Sequence, residues 1–452
     1  MKVGIIGCGY VFDKYMPTWG NHPELVIAGV SDIDPKRVDA VTRHYGLKAY
    51  TDNAALLADP EIDIVANFTP IRTHYEVSKA ALEAGKHVYS EKPLVTRMDQ
   101  ARELIDLAES RGLRVSCAPS NVLGATSQTM WKAMLDGAIG RARMVYAEFD
   151  ADPCYMLGEV STCQPEPGCS FPYLDENSTR SVTGAFFPFV KEFEMGCTYE
   201  HVAYHLSWMC AMFGPVKTVT AFSKVVMPDK TDAPLDPADT PDFSVAVMDF
   251  HSGVAGRVTC SINGANDLRM RIIGDRGILT TETYGDYKCP VYLDLFSKLS
   301  VKTKHLKVVR NSPMLQWVFG VAPRELPLVP AQANGSRRAG RVSWWDVRGR
   351  LAQIKQAELN RQDKCVGIGD LAAAISSGRP HYPSHDFTLH MTELTLAIQA
   401  AGTRSQTHVL ETTFHPVELP EWTRQAARNY REYLKPLWRT RLTERALDAL
   451  KG

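Results

Sequence analysis

The stretch GCTYEHVAYHLSW concentrates side chains that can exchange protons or bind metal ions. Cys197, His201 and His205 recur at every fourth position, so a helix through this stretch places them along one stripe. Glu200 and Tyr204 lie on the adjacent stripe. A thiol, two imidazoles, a carboxylate and a phenol arranged in this way can form a metal centre, a catalytic face or a polar patch on a buried helix.

Zinc is the metal that this set would bind, because thiolate and imidazole are its usual protein ligands. Cys197, His201 and His205 supply those ligand types, but H-x-x-x-H lacks the internal Glu of the H-E-x-x-H zinc motif. We therefore predict a metal-free catalytic helix. The alternative of a buried helix with satisfied polar groups stays open, because the apolar LSWMCAMFG that follows is typical of core.

The first residues of the chain predict a site for a dinucleotide. KVGII is a short β-branched run, typical of a buried parallel strand, and Gly7 and Gly9 follow it directly. Gly7 allows a tight turn, and Gly9 lets the backbone approach a pyrophosphate at the start of the next helix. The turn continues through Tyr10 and Val11 to Phe12, which occupies the slot where G-x-G-x-x-G/A has a small residue.

Asp32 ends the next apolar run, LVIAGVSD. An acidic residue there accepts hydrogen bonds from the adenosine ribose and repels a 2′-phosphate, so the expected cofactor is NAD rather than NADP. Lys36 and Arg37 follow closely and weaken that preference. The alternative role for Asp32 is the N-cap of a helix, because SDIDPKRVDAVTRHYG opens one.

Strand and helix patterns alternate through residue 120, which predicts a doubly wound parallel sheet. Ligands of such sheets bind at the carboxyl ends of the strands. Thr69 and Pro70 follow the apolar run IDIVANF, and Glu91 and Lys92 follow HVYS. These side chains are therefore expected at the ligand-binding edge of the sheet.

Taken with the G-x-G turn, these blocks resemble one family. TP followed by His74, and above all AGKHVYSEKPL, are similar to the glucose–fructose oxidoreductase, inositol dehydrogenase and rhizopine-catabolism family (Gfo/Idh/MocA). The resemblance is strong over the first 95 residues and continues more weakly to about residue 415. It implies an N-terminal Rossmann domain (1–122) and a C-terminal α/β domain (123–452) with a large open-faced, mostly antiparallel sheet. Insertions are expected near 150–194 and 291–363.

The resemblance also implies roles for site residues. It places Lys92 beside the nicotinamide and the reacting hydroxyl, where burial would lower the pKa of the ammonium toward a useful range. Thr69, Pro70, His74 and Glu91 are expected near the cofactor.

In the family, the helix at GCTYEHVAYHLSW carries an Asp and, four residues later, a His. The Asp slot falls on Glu200 and the His slot on Tyr204. Either Tyr204 replaces the His as proton acceptor, or His201 and His205 take over after a rotation of about 100°. Asn121 is expected to contact the substrate or the nicotinamide amide, and His205 to border the substrate.

Composition limits the partners. Lys plus Arg equals Asp plus Glu at 51 each, so no global charge favours nucleic acid or an anionic membrane. No apolar run approaches the roughly 18 residues of a membrane span. The ten Cys include no C-x-x-C pair and MKVGIIGCGY is no signal peptide, so we expect a cytoplasmic protein with reduced thiols. A homo-oligomer of two or four chains is also expected.

The sequence therefore predicts an NAD-dependent oxidoreductase acting on a ring hydroxyl of a sugar, glycoside or cyclitol. One alternative is an NAD-dependent enzyme that cleaves glycosides through transient oxidation and elimination. The other is a non-catalytic NAD-binding regulator, against which the E-K-P motif and the polar helix argue.

Overall fold

The computed structural model describes residues 1–151, 189–262, 264–330, 361–426 and 428–449. Most of the insertion predicted near 150–194 therefore lies outside the described residues, as do residues 331–360 of the second predicted insertion. Within the described ranges, every helix is too short or too polar to cross a membrane.

The N-terminal part of the chain forms a sheet of five parallel strands in the spatial order β2-β1-β3-β4-β5. The strands are β1 Lys2–Ile6, β2 Val26–Ser31, β3 Ile64–Asn67, β4 His87–Ser90 and β5 Val115–Cys117. The helices between and beside them are α1 Tyr10–Trp19, α2 Pro35–Tyr45, α3 Asn53–Leu57, α4 His74–Glu83 and α5 Met98–Ser110, with a 3-10 turn at Ile71–Thr73. The predicted doubly wound parallel sheet is confirmed.

Two apolar clusters cover the two faces of this sheet. Val3 and Ile5 of β1 pack with Phe12 of α1, whereas Ile6 packs with Leu82 of α4 on the opposite face. The separation follows from the alternation of side chains along a strand. Helices on both faces explain why the strands read as continuous apolar runs in the sequence.

A C-terminal helix also packs on the first sheet. Residues Ile368 and Leu371, in a helix over Val366–Ser377, share the core cluster that contains Val3 and Tyr15. The chain therefore returns to its N-terminal domain after the second sheet. The boundary at residue 122 stays a prediction, but the first core includes this later segment.

The second sheet has nine strands in the order β13-β12-β11-β10-β6-β9-β8-β7-β14, all antiparallel except the β6–β9 pair. The strands are β6 Ala142–Asp150, β7 Val216–Lys224, β8 Phe243–Phe250, β9 Ala255–Ser261, β10 Met270–Gly274, β11 Gly277–Thr281, β12 Val291–Leu295, β13 Arg324–Leu326 and β14 Gln406–Val409. On β8, Ala246 and Met248 are buried while Val247 between them is 55% exposed, so one face of the sheet is open in the part of the chain described. The predicted large, mostly antiparallel sheet is confirmed.

Some helices of the second half, among them α8, cover the other face. The helices of this half are α6 Ala125–Leu135, α7 Phe189–Met195, α8 Ala203–Phe213, α9 Lys298–His305, α10 Lys307–Arg310, α11 Pro313–Phe319, α12 Val366–Ser377 (the helix that packs on the first sheet), α13 His385–Gln399, α14 Glu421–Arg424 and α15 Trp438–Ala449. Further 3-10 turns lie at Asn121–Leu123 and Tyr430–Leu434, and a π-helical turn lies at Thr198–Val202. Trp208 and Leu206 of α8 are fully buried in the largest core cluster.

A buried histidine joins α13 to the second sheet. His390 Nε2 accepts a hydrogen bond from the Val216 amide at 3.0 Å, and Nδ1 lies 3.1 Å from the Thr412 carbonyl oxygen. This pattern suits the neutral ring, because a protonated Nε2 could not accept. Burial lowers the pKa of His390 to about 4.

Acid should therefore destabilise the fold through His390. In the unfolded chain a histidine gains its proton near pH 6.5, whereas folded His390 stays neutral to about pH 4. The free energy of unfolding falls as pH drops through this window, by up to about 1.4 kcal/mol per pH unit for one site. Urea melts between pH 7 and 4 should show a shallower acid slope in His390→Gln. The exposed His44, replaced in the same way, is the control, and an unchanged slope in His390→Gln would contradict the assignment.

Candidate functional site

The turn after β1 forms a glycine cradle. Gly7 has φ +103°, and a Cβ there would lie 2.6 Å from the Phe68 carbonyl carbon, so this close approach requires glycine. Gly9 caps α1 without a side-chain acceptor, which leaves the first amides of the helix to face an anion. Tyr10 and Val11 open that helix. The cradle therefore fits the pyrophosphate of a dinucleotide.

Phe12, the departure from the small third residue, points into the core. It is fully buried and packs edge-on against Tyr45 of α2, with ring centroids 6.0 Å apart. The large side chain is thus accommodated between α1 and α2.

Asp32 lies directly after β2, beside the cradle. Its Oδ2 accepts a hydrogen bond from the Cys8 amide at 2.6 Å, and its Oδ1 accepts one from the Asp34 amide at 2.8 Å. Asp34 is the N-cap of α2, because its carboxylate accepts from the Lys36 amide at 3.0 Å. The N-cap alternative for Asp32 is therefore wrong. Arg37 also reaches the cradle, with Nη1 3.7 Å from the position that a Cβ on Gly9 would take.

The loops after β3 and β4 are tied together by a buried histidine. His74 Nε2 lies 2.9 Å from the Thr69 carbonyl oxygen, and Nδ1 lies 2.8 Å from that of Pro93. Thr69 in turn donates its hydroxyl to Asn67 at 2.6 Å, just before Pro70. His74 thus fixes the loop that carries Lys92, and contacts of Thr69, Pro70 and His74 with a cofactor stay predictions.

Glu91 is a buried anchor. It accepts hydrogen bonds from the Tyr15 hydroxyl at 2.7 Å and from the Lys92 amide at 3.1 Å. Burial would raise the pKa of Glu91, but Lys364, Lys92 and the Tyr15 hydroxyl lower it. Lys364 Nζ lies 5.9 Å from the Tyr15 ring centroid. Lys364 belongs to no sequence motif that would have predicted its place near Glu91.

Lys92 forms an ion pair across the two halves of the chain. Its Nζ donates to Glu200 Oε2 at 2.7 Å, and the two side chains are only 10% and 20% exposed. Burial acts to lower the pKa of Lys92, but the carboxylates of Glu200 and Glu91 outweigh it and raise the pKa above its ordinary value. The prediction of a lowered pKa is therefore wrong, because it omitted these carboxylates. Lys92 is a fixed ammonium donor.

A π-helical turn determines which side chains of the polar helix, residues 196–208, face Lys92. Thr198–Val202 forms this wide turn, and α8 continues from Ala203. π turns are rare and occur often at functional sites. Glu200 reaches Lys92 from the turn, while the Tyr204 ring centroid lies 5.8 Å from Lys92 Nζ. Glu200 and Tyr204 therefore both lie at the lysine.

Aromatic rings line the same side of this helix. Tyr204 stacks on Tyr284 with centroids 4.5 Å apart, and Phe149 stacks on His201 at 4.3 Å. Flat aromatic faces of this kind suit the apolar face of a sugar ring. Phe149 and Tyr284 come from β6 and the segment after β11, and no spacing in the sequence singled them out.

Burial shifts the pKa values of both Tyr204 and His205. Burial and the nearby carboxylates raise the pKa of Tyr204 well above 10, so its phenol keeps its proton. His205 is fully buried, and its Nε2 donates to the Leu268 carbonyl at 3.3 Å. Burial lowers the pKa of His205 to about 4. Tyr204 therefore does not gain acidity from the nearby Lys92, and His205 lies in the core rather than at the surface of the site.

His201 has a partner that no sequence pattern indicated. Its Nε2 makes an ion-pair contact with Glu192 Oε1, and the Glu192 side chain is 3% exposed. Asn121, expected near the substrate, instead donates its amide to the Tyr204 carbonyl at 3.0 Å and accepts from Ser207 at 3.1 Å. Asn121 thus ties its loop to the polar helix, and contact with a ligand stays a prediction.

The three potential zinc ligands do not converge. The thiol of Cys197 donates to the Cys260 carbonyl at 3.5 Å, while His201 and His205 contact Glu192 and Leu268. Among the described residues, no three His, Cys, Asp or Glu side chains are grouped to hold a metal.

Two family models match parts of this chain. Residues 1–118 match the family model described as "Oxidoreductase family, NAD-binding Rossmann fold". Residues 186–280 match a second model, "GFO/IDH/MocA C-terminal domain". The second match includes the polar helix and strands β7 to β10 of the second sheet.

Two relatives with named activities are similar over about a third of this chain. A dTDP-3,4-didehydro-2,6-dideoxy-alpha-D-glucose 3-reductase of Streptomyces antibioticus is 30% identical over 34% of this chain and 47% of its own. A D-glucoside 3-dehydrogenase of Escherichia coli K12 is 31% identical over 31% of this chain and 40% of its own. The chain spans about half the length of the curated relatives it matches.

A solved levoglucosan dehydrogenase, in complex with NADH and levoglucosan, has the same fold. It superposes with a TM-score of 0.62 over 88% of this chain and 95% of its own, at 18% identity.

Proposed function

Because this chain belongs to the Gfo/Idh/MocA family of oxidoreductases, we propose that it transfers hydride between NAD and a ring hydroxyl of a sugar, glycoside or cyclitol. The observation that carries the proposal is the buried Lys92–Glu200 pair at 2.7 Å. It joins the strand end beside the glycine cradle to a helix of the second half that carries further acid–base groups. A protein that only sensed NAD would have no use for such a pair.

The cradle residues would hold the dinucleotide. Gly7, Gly9 and the first amides of α1 suit its pyrophosphate, and Asp32 suits the adenosine ribose. A bound oxidised nicotinamide would supply the hydride acceptor. The protein's own residues must bind the hydroxyl, remove its proton and hold the sugar ring.

Lys92 and Tyr204 act as donors to the reacting oxygen in this proposal. A fixed ammonium stabilises the negative charge that develops as an alcohol loses its proton. The phenol of Tyr204 keeps its proton, and neutral His205 is buried against Leu268. His201 is therefore the proton acceptor we propose. The rings of Tyr204 and Tyr284 would support the sugar.

Asp32 should make the protein prefer NAD over NADP. Hydrogen bonds from a ribose to a carboxylate contribute about 1.5–3 kcal/mol, so Asp32→Ala should weaken NAD binding roughly 10- to 100-fold and affect NADP less. Titration of both cofactors by fluorescence measures this. Asp34→Ala, which removes the α2 cap but not the ribose partner, is the matched control. Tighter binding of NADP by the wild type would mean that Lys36 and Arg37 decide the preference.

A substrate screen tests the proposed reaction. The purified chain is incubated with NAD⁺ and a panel of sugars, glycosides and cyclitols, and NADH is followed by absorbance, with and without extensive chelation. We expect NADH from at least one ring alcohol, much slower NADH formation by Lys92→Met, and no effect of the chelator. Loss of activity on chelation, restored by zinc, would contradict the metal-free assignment.

The same screen separates the alternatives. Release of aglycone without net NADH would indicate glycoside cleavage through transient oxidation. Tight NAD binding with neither product, across the whole panel, would contradict an enzyme and favour a regulator. The expected homo-oligomer of two or four chains is a further proposal, measurable by light scattering.

A further inference from the structure

Glu192 is a buried carboxylate beside the proposed proton acceptor. It belongs to the short helix α7, and its Oε1 contacts Nε2 of His201. The side chain is 3% exposed, and that of His201 is 15% exposed. The contact is an ion pair without hydrogen-bond geometry, since His201 Nε2 has no hydrogen-bond partner within the described residues. A carboxylate beside one ring nitrogen favours a proton on that nitrogen, which leaves the lone pair on Nδ1.

The imidazole is also fixed in orientation. The Phe149 ring stacks on His201 with an interplanar angle of 12° and a centroid distance of 4.3 Å. Phe149 is itself 3% exposed on β6. A ring held by a flat aromatic surface on one side and an ionic contact at its edge loses little freedom when it takes up a proton.

One oxygen of Glu192 has no hydrogen-bond partner within the described residues. Oε2 is fully enclosed, and Oε1 contacts His201. A buried carboxylate with an unpartnered oxygen is costly unless a positive charge compensates it. Formation of an imidazolium at His201 would supply that charge at the moment of proton transfer. The arrangement is therefore better suited to the protonated ring than to the resting one.

We infer that Glu192 is the positioning residue of a carboxylate–imidazole pair in which His201 accepts the substrate's hydroxyl proton. This inference rests on the proposed function. As the substrate C–H pair leaves as hydride for the oxidised nicotinamide, the O–H bond breaks and an N–H bond forms at Nδ1 of His201. The imidazolium is paired with Glu192 until it passes the proton to water, and Glu192 keeps its negative charge throughout.

Other charges face this pair, and they bear on any dependence on pH. The carboxylate of Glu192 acts on the pKa values of four groups, all of them outside its own helix α7. The titratable groups around the pair are Lys92 after β4, Glu200 and Tyr204 on the polar helix, Tyr284 after β11, and Cys260 on β9. Burial keeps the two phenols and the thiol protonated, since it raises the pKa of each, and Lys92 and Glu200 neutralise one another. The negative charge of Glu192 is therefore available to pair with a protonated His201.

Glu192→Gln tests the inference because it preserves shape and removes charge. We expect kcat to fall about 10²-fold, with the substrate KM and NAD affinity within a few fold. The acid limb of the kcat/KM profile should move to lower pH, because the lost carboxylate no longer favours the protonated ring. Glu192→Asp should restore part of kcat. Glu194→Gln is the matched control, because Glu194 lies on the same helix but pairs with the exposed Arg72.

Two further measurements separate positioning from mere structure. In a His201→Ala background, Glu192→Gln should lower kcat little further, because both changes disable the same carboxylate–imidazole pair. NMR of labelled histidine, with His201 identified by its missing signal in His201→Asn, should show the ring titrating at lower pH in Glu192→Gln. This signal needs no substrate, so it tests the pair even if no sugar is oxidised. Additive losses, or identical titration of wild type and Glu192→Gln, would overturn the inference. If Glu192→Gln does not fold, Glu192→Asp takes its place in both measurements.

Discussion

Lys92→Met is expected to lower turnover about 10²- to 10³-fold, the usual cost of removing one fixed donor to a developing oxyanion. NAD affinity should stay within a few fold, because the pyrophosphate and ribose contacts lie at the glycine cradle and Asp32. The substitution also frees Glu200, whose carboxylate loses its 2.7 Å partner. Steady-state kinetics and NAD titration measure the two quantities.

The control for this experiment is a second buried lysine of the same domain. Lys86 is 7% exposed and donates to the Asp59 carbonyl at 2.7 Å, at the opposite end of β4 from Lys92. Lys86→Met should affect stability without a comparable loss of turnover. Lys92→Arg should not restore the wild-type rate, because the larger planar head cannot occupy the same buried position. Near-normal turnover in Lys92→Met would contradict the assigned role.

His201→Ala is expected to lower turnover roughly 10²- to 10⁴-fold, which is the range for a lost general base. Tyr204→Phe should cost about 10-fold or less, because it removes a donor that shares its task with Lys92. His205→Ala should lower the melting temperature through a core cavity while kcat changes little. The three variants, each compared for NAD binding, kcat and thermal unfolding, assign one role to each position.

These outcomes are exclusive. If Tyr204→Phe abolishes turnover and His201→Ala preserves it, the phenol is the proton acceptor. The argument that excluded Tyr204 because of its raised pKa would then be wrong. If none of the three loses turnover while all bind NAD, the polar stripe is structural.

The N-terminal sheet was predictable because its signals are local. A β-branched run, two glycines and a terminal Asp lie close together in sequence, and each is explained by the backbone it requires: Gly7 by its positive φ and close contact with Phe68, Asp32 by its place after β2. The mostly antiparallel second sheet came from the family resemblance rather than from such signals. The return of residues 366–377 to the first core was not predicted, because the apolar pattern of a helix does not say which sheet it covers.

The site was predictable only in part, for a physical reason. Lys92 and Glu200 could be named from motifs, but their charge states depend on neighbours that are distant in sequence. The pKa of Lys92 is raised because Glu200 lies 2.7 Å away, and no spacing rule gives that distance. Glu192 had no motif at all, since its significance arises from a contact with His201 made in three dimensions.

The π-helical turn at Thr198–Val202 has a consequence for how such a site can diverge. A wide turn of this kind holds one residue more than an α-helical turn, so it is where a helix absorbs a single-codon insertion without disturbing its ends. Deleting one residue there would restore a regular helix and turn the side chains before it by about 100° relative to those after it. Glu200 and His201 would then leave Lys92 and Phe149 while Trp208 kept its place in the core. A change of one residue in the length of this turn can therefore replace the acid–base side chains that face Lys92, just as a substitution can.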